Sequence, residues 1–260
     1  MAIDTTPIYA AAPTRPGSAF RKLALTEVRL LLREPVALFW GLTFPMALLA
    51  VMGLASSGPQ ADLGGLRLVA VYEPILIAFV TVAFAIQGLP AVVAGYRERR
   101  ILRRMATTPV GPVRVIAAQL AVNLAVALVA TAGILAVGRL GFGVPLPGQP
   151  AGFIVTYVLA ATAMLGLGML IAALAPTGRT AGVIGTMLFF PLMFFAGLWI
   201  PRATMAAGLR QVSDFTPLGA AVQAMQDSMR GYWPHPAGLA VLAGYAVVFT
   251  VAAARFFRWD

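Results

Sequence analysis

The chain has 260 residues, 60% apolar and 11% charged, with a mean hydropathy of +0.87, which leaves too little polar surface to coat a soluble globule. A net charge of +10 would point to nucleic acid in a soluble protein. Here the arginines flank apolar runs and face anionic headgroups, so the charge reads as membrane topology and no nucleic-acid partner is expected. The lack of cysteine excludes a disulfide framework, a thiol nucleophile and a cysteine-ligated metal.

Residues 1–17, rich in Pro, Ala and Thr, read as a disordered cytosolic tail. No short apolar region with a small-residue cleavage site follows, so no removable signal peptide is expected and the N-terminus stays in the cytosol. Over residues 18–35, Ser18 can cap a helix whose Arg21, Lys22, Arg29 and Arg33 lie largely opposite its leucines, the pattern of a helix lying in the membrane interface. Arg33-Glu34-Pro35 closes it, and Pro35 marks the turn into the bilayer. An ordinary basic flank of a first span fits the same charges.

Crossing a hydrocarbon core of about 30 Å takes about 20 apolar residues. Six stretches qualify: Val36 to Ala55, Leu68 to Gly95, Val113 to Val137, Gly152 to Ala175, Ala181 to Ile200 and Pro236 to Phe256. The expected fold is therefore an all-α membrane protein with a six-helix transmembrane domain over 36–258. The second stretch exceeds the bilayer and should tilt or protrude. With both termini inside, cytosolic segments hold 14 Lys and Arg and outer segments hold 5, the asymmetry of an N-in, C-in topology.

Two connecting segments are more than loops. Tyr96 to Pro112 carries five arginines and a glutamate before the proline-rich stop at Thr107-Thr108-Pro109-Val110-Gly111-Pro112. Ile101, Leu102 and Met105 share one face of a short helix while Arg97, Arg100 and Arg104 share another, a docking side and a charged side. A basic inside loop without a partner is the alternative. The second segment, 201–234, is too proline-broken to cross and too apolar for a free loop. It fits a re-entrant helical hairpin in the outer half of the bilayer, or a pair of surface helices there.

No catalytic or metal set is legible. His235 is the only histidine and reads as a solvated boundary residue, and no Gly-x-Ser-x-Gly context exists. The only lysine is Lys22 in a leucine-rich helix, so the chain has no P-loop. Of the polar residues within spans, Glu73 reads as interfacial, beside Pro74. Gln119 is a further polar residue there, and Gln87 and Asn123 are deeper, where amides either join helices or contact a translocated substrate. Met187, Phe190 and Phe194, in a Phe/Met-rich stretch around Pro191, are packing residues or a wall of the same path.

In order and spacing, these residues resemble the type 2 ABC exporter permeases over 18–258. The family opens with an interfacial helix ending in Arg-x-Pro, as at Arg33-Glu34-Pro35, and has a Phe-Pro step in its first span, as at Phe44-Pro45. Its cytosolic loop reads as a Glu/Arg run, then Leu, then Thr-Pro-Val, matched by Glu98-Arg99, Leu102 and Thr108-Pro109-Val110. A Gly-x-x-x-Pro step closes the fifth span, as at Gly197 and Pro201, before a Pro-Leu step like Thr216-Pro217-Leu218. Two departures stand out: Arg100-Ile101 replaces a common Gly-Thr pair, which would favour continuous helix, and Thr216 replaces a common Asn.

The resemblance implies a half-transporter in a bacterial inner membrane, pairing with an identical or paralogous permease and with two ATP-binding subunits that carry the ATP and Mg. This chain is then no enzyme and holds no cofactor. Arg97, Glu98, Arg99, Arg100, Leu102, Arg103, Arg104, Thr108 and Pro109 would couple it to the ATPase, with Arg29, Arg33 and Glu34 of the interfacial helix beside them. Gln87, Asn123, Met187, Phe190 and Phe194 would line the path. The apolar wall favours export of an apolar or amphiphilic drug or lipid over a polysaccharide or lipid-linked glycan. A self-contained secondary carrier should instead show internal repeats with midplane charges, and no convincing repeat is visible.

Overall fold

A computed structural model describes residues 25–29, 32–33, 35–55, 58–106 and 111–257. The expectations for the tail 1–17 and for Ser18, Arg21, Lys22, Glu34, Thr108 and Pro109 lie outside the described residues. Among those described, the protein is helical, and a lone bridge between Gln60 and Leu66 is the one β-type pairing.

The elements are α1 (Phe39–Ala55), α2 (Leu68–Glu98), α3 (Ile101–Ala106), α4 (Pro112–Gly141), α5 (Pro150–Leu174), α6 (Gly178–Ala196), α7 (Ala207–Asp214), α8 (Pro217–Met229) and α9 (Pro236–Phe256). Helices α2, α4, α5, α6 and α9 are long and apolar enough to cross a membrane. Helix α1 is shorter by itself, and the helical residues Pro35–Leu38 run directly into it. Local chemistry explains most starts. Pro occupies the first turn of α4, α5, α8 and α9, where its missing N–H costs nothing. Thr177 caps α6 by accepting the Thr180 N–H at 3.1 Å, and Thr216 caps α8 from the Gly219 N–H at 3.2 Å. Thr216 therefore performs the capping an asparagine would.

Helix α2 is the axis of the bundle: 72% of its apolar window is buried, against 17% for α9. Midway it widens into a π-helical turn, Ala83–Gly88. That turn meets Gly168 of α5 and Gly185 of α6, where a Cβ would strike the Ala85 and Ile86 carbonyl oxygens respectively. Small residues at such crossings let backbones approach closely, the usual basis of helix association in lipid.

The segment 201–234 is not a symmetric hairpin. Helix α8 is buried among α2, α5, α6 and α9, with Leu218, Ala221, Val222 and Met225 inaccessible, whereas α7 is short and mostly exposed. Gly197 ends α6 in the left-handed region (φ 95°), and the Leu198 N–H returns to the Met193 carbonyl at 3.1 Å. Buried Arg202 then pairs with Asp214 and donates to Ser213 and to Gln223 (3.1 Å), joining the 3-10 turn to α7 and α8. Glu73 lies in the second turn of α2, near the end of α4. It is 1% exposed, with its carboxyl against Gly138 in the π-helical end of α4.

Candidate functional site

The arginine-rich end of α2 is organised by two side chains that reach the α5–α6 turn. Arg97 donates to the carbonyl oxygens of Ala173 (2.8 Å) and Ala175 at the end of α5. Glu98 Oε2 accepts the Gly178 N–H at 3.0 Å, at the start of α6. A cation on exposed carbonyls and an anion on a first-turn amide each complement the local helix dipole. Arg97 and Glu98 thus staple α2 to the α5–α6 turn, Arg97 half-buried and Glu98 still exposed. Periodicity put Arg97 on a charged face with Arg100 and Arg104 but could not say that it reaches another helix pair.

Beyond Glu98 the helix breaks. Arg100 sits in the left-handed region at φ 57°, and α3 leaves at that turn, so the continuous helix favoured by Arg100-Ile101 does not form. An arginine there bears the strain that glycine avoids, of order 1 kcal/mol. Arg100→Gly is therefore expected to raise stability by about 1 kcal/mol, read as a higher melting temperature of the detergent-purified chain. Leu102 is 1% exposed and anchors α3, while Arg99, Arg100, Arg103 and Arg104 are exposed. The docking side and charged side expected of this segment are both present.

A polar cluster that sequence reasoning missed lies alongside. The described residues 25–29 are helical, and Glu27 from them accepts hydrogen bonds from Tyr96 Oη of α2 (2.8 Å) and Gln119 Nε2 of α4 (2.6 Å). Asn123, one turn on, donates to the Gln119 carbonyl at 2.8 Å. Burial raises the Glu27 pKa above its ordinary value, and the bonds from Tyr96 and Gln119 partly offset this by favouring the charged form. A raised carboxyl pKa means that the docked state holds protons more tightly, so docking should weaken as pH rises through that range. Glu27→Gln is expected to remove this pH dependence, measured as protease protection of the N-terminal segment between pH 5 and 8. Arg29 is exposed on the same helix. The one available signal was a Glu in mid-segment of a leucine-rich basic helix.

The expected path residues separate into two groups. Gln87 and Asn123 line a cavity of about 900 Å³ within this one chain, beside Glu27 and Tyr96. Met187 and Phe190 instead lie on the exposed face of α6, where Phe190 stacks on Trp199 at 6.1 Å between ring centroids, and Phe194 is half-buried against Phe195. Phe189 and Met193 of that aromatic stretch are core residues, Phe189 edge-on to Phe79. The structure does not bring Met187 or Phe190 to the cavity.

Several long apolar helices, with the axial one leading into an exposed arginine-bearing α3, make this a multi-pass membrane protein. The family model of the ABC-2 type transporter matches residues 18–229, and the chain belongs to that family. It is accordingly a permease subunit, a membrane transport component that works with an ATP-binding subunit, not itself the nucleotide-binding part. Comparison with curated proteins returns no match.

Proposed function

We propose that the chain is the permease half of an ATP-driven exporter in a bacterial inner membrane, moving an apolar or amphiphilic compound out of the cytosol or the inner leaflet. The observation that carries this reading is α3, a short lever packed through Leu102 and presenting Arg103 outward beside the exposed Arg100 at the end of the axial helix. ATP-driven closure of a partner can move a span only through such a stiff attachment. Two ATP-binding subunits, carrying the ATP and Mg, would grip α3 and the N-terminal helix of two paired permeases. Residues 35–55 form a helical run about 32 Å long at 1.5 Å per residue, enough for a sixth crossing. Both termini then lie in the cytosol, where the basic residues concentrate. The inserted α8 and its lead-in α7 fit a re-entrant segment on the outer side. The exposed α6 face carrying Met187, Phe190 and Trp199 suits a second permease copy or the path between copies.

The test is affinity purification of the tagged chain from native membranes in mild detergent. A stoichiometric Walker-motif ATPase is the expected companion, and its reproducible absence would put a self-contained carrier in first place.

A further inference from the structure

We propose that the cavity within this chain holds a lipid-like amphiphile with an anionic, phosphate-type headgroup, bound by Arg33 and Arg99 with its tail on Trp40, Phe84 and Val122. As an assignment of substrate class it rests on the exporter reading above; as a binding site it stands on the geometry. The volume, about 900 Å³, is at the upper end of the roughly 300–1,000 Å³ usual for small-molecule sites. Its walls divide by chemistry. Trp40, Phe84 and Val122 are its large apolar members, and Gln87 and Asn123 supply two amides. Glu27, Arg33 and Arg99 are the charged lining residues, and both arginines are exposed.

The charges decide the headgroup. Glu27 is held by Tyr96 and Gln119, so its oxygens are already engaged. Neither Arg33 nor Arg99 has an ion-pair partner among the described residues. Two guanidiniums against one satisfied carboxylate leave the lining net positive, and guanidinium forks match phosphate geometry. An apolar tail finds the remaining wall, where Trp40 and Val36 are 51% and 69% exposed. Gly88 lines the same space, and the nearest atom to an added Cβ there is Asn123 Oδ1 at 3.7 Å, so a substitution starts into the lining without a clash at its Cβ.

The test uses the full chain with Trp199, Trp233 and Trp259 changed to Phe, leaving Trp40, in nanodiscs of zwitterionic lipid. Trace phosphatidic acid or phosphatidylcholine, each brominated on its chains, serves as quencher. The anionic lipid should quench Trp40 at a mole fraction at least fivefold lower than the zwitterionic one. Arg33→Gln/Arg99→Gln should remove that preference, as should Gly88→Phe, while Arg210→Gln on α7 retains it. Equal quenching by both lipids, or preference surviving in folded Gly88→Phe, would overturn the proposal, since Trp40 would then report only bulk lipid. Displacement by glycerol phosphate alone would overturn the role of the apolar body, and tighter quenching by a brominated cationic amphiphile would overturn the headgroup. The exporter reading fails separately: headgroup-selective binding in a chain that brings down no ATPase keeps the site and sinks the exporter, and the converse result sinks the site alone.

Discussion

Gly185→Ala is expected to prevent the bundle from closing, with the detergent-purified chain losing its monodisperse peak and its cooperative melt. The added methyl would strike the Ile86 carbonyl oxygen in the π-helical turn of α2, and a backbone atom in the axial helix cannot swing aside as a side chain can. Overpacking a core usually costs about 1–3 kcal/mol, and contact with fixed backbone puts this substitution at about 3 kcal/mol or above. Gly168→Ala meets the neighbouring Ala85 carbonyl and should behave alike. The double variant should cost less than the sum, because one displacement of the same turn relieves both clashes. Gly244→Ala on α9, where an added Cβ has nothing within 4 Å, serves as the matched control. A melting temperature for Gly185→Ala equal to that of Gly244→Ala would show that the crossing is looser than drawn.

The second large effect separates the two kinds of arginine at the end of α2. Arg97→Glu removes two charge-assisted hydrogen bonds to Ala173 and Ala175 and places a negative group on the carbonyl end of α5. Each such bond contributes about 1.5–3 kcal/mol and the dipole adds a smaller repulsion, so with water access at this end a loss of about 3 kcal/mol is expected. Arg100→Glu/Arg103→Glu changes only exposed positions and should leave thermal stability within about 0.5 kcal/mol. That exposed pair should nevertheless lower the ATPase recovered with the chain, whereas Arg97→Glu should lower the melting temperature first. If both variants lost the ATPase at unchanged stability, Arg97 would be a partner contact after all and the staple would be incidental.

What was legible in the sequence was what one residue type can say about its solvent. Long apolar runs located the helices closely: the run expected at Gly152 to Ala175 became Pro150–Leu174, and Pro236 to Phe256 fell where expected. The basic segment yielded a short helix with Leu102 inward and arginines outward, since a face is encoded by periodicity. Partners across the chain were not encoded in that way. Glu27 meets residues 69 and 92 positions away, and Arg97 reaches 76 and 78 positions to its carbonyls. The π-helical turn has no composition signal, and Gly168 and Gly185 look like any glycines in an apolar run until the carbonyls facing them are known. Arg100 misled for a related reason: propensity favours continuing the helix there, and the anchoring of Leu102 overrides it.

The position of α8 bears on how the protein is made. The last crossing, α9, packs chiefly on α5 and secondarily on α8, so part of its berth is built from a segment that lies outside the simple succession of spans. As the ribosome delivers the chain, α9 emerges when α5 is already in the membrane, and its site is complete only once residues 217–229 have inserted. A lesion in the short stretch around Arg202, Ser213 and Thr216 that delays α8 would thus strand the final helix in lipid and expose it to quality-control proteolysis, although no residue of α9 itself had changed.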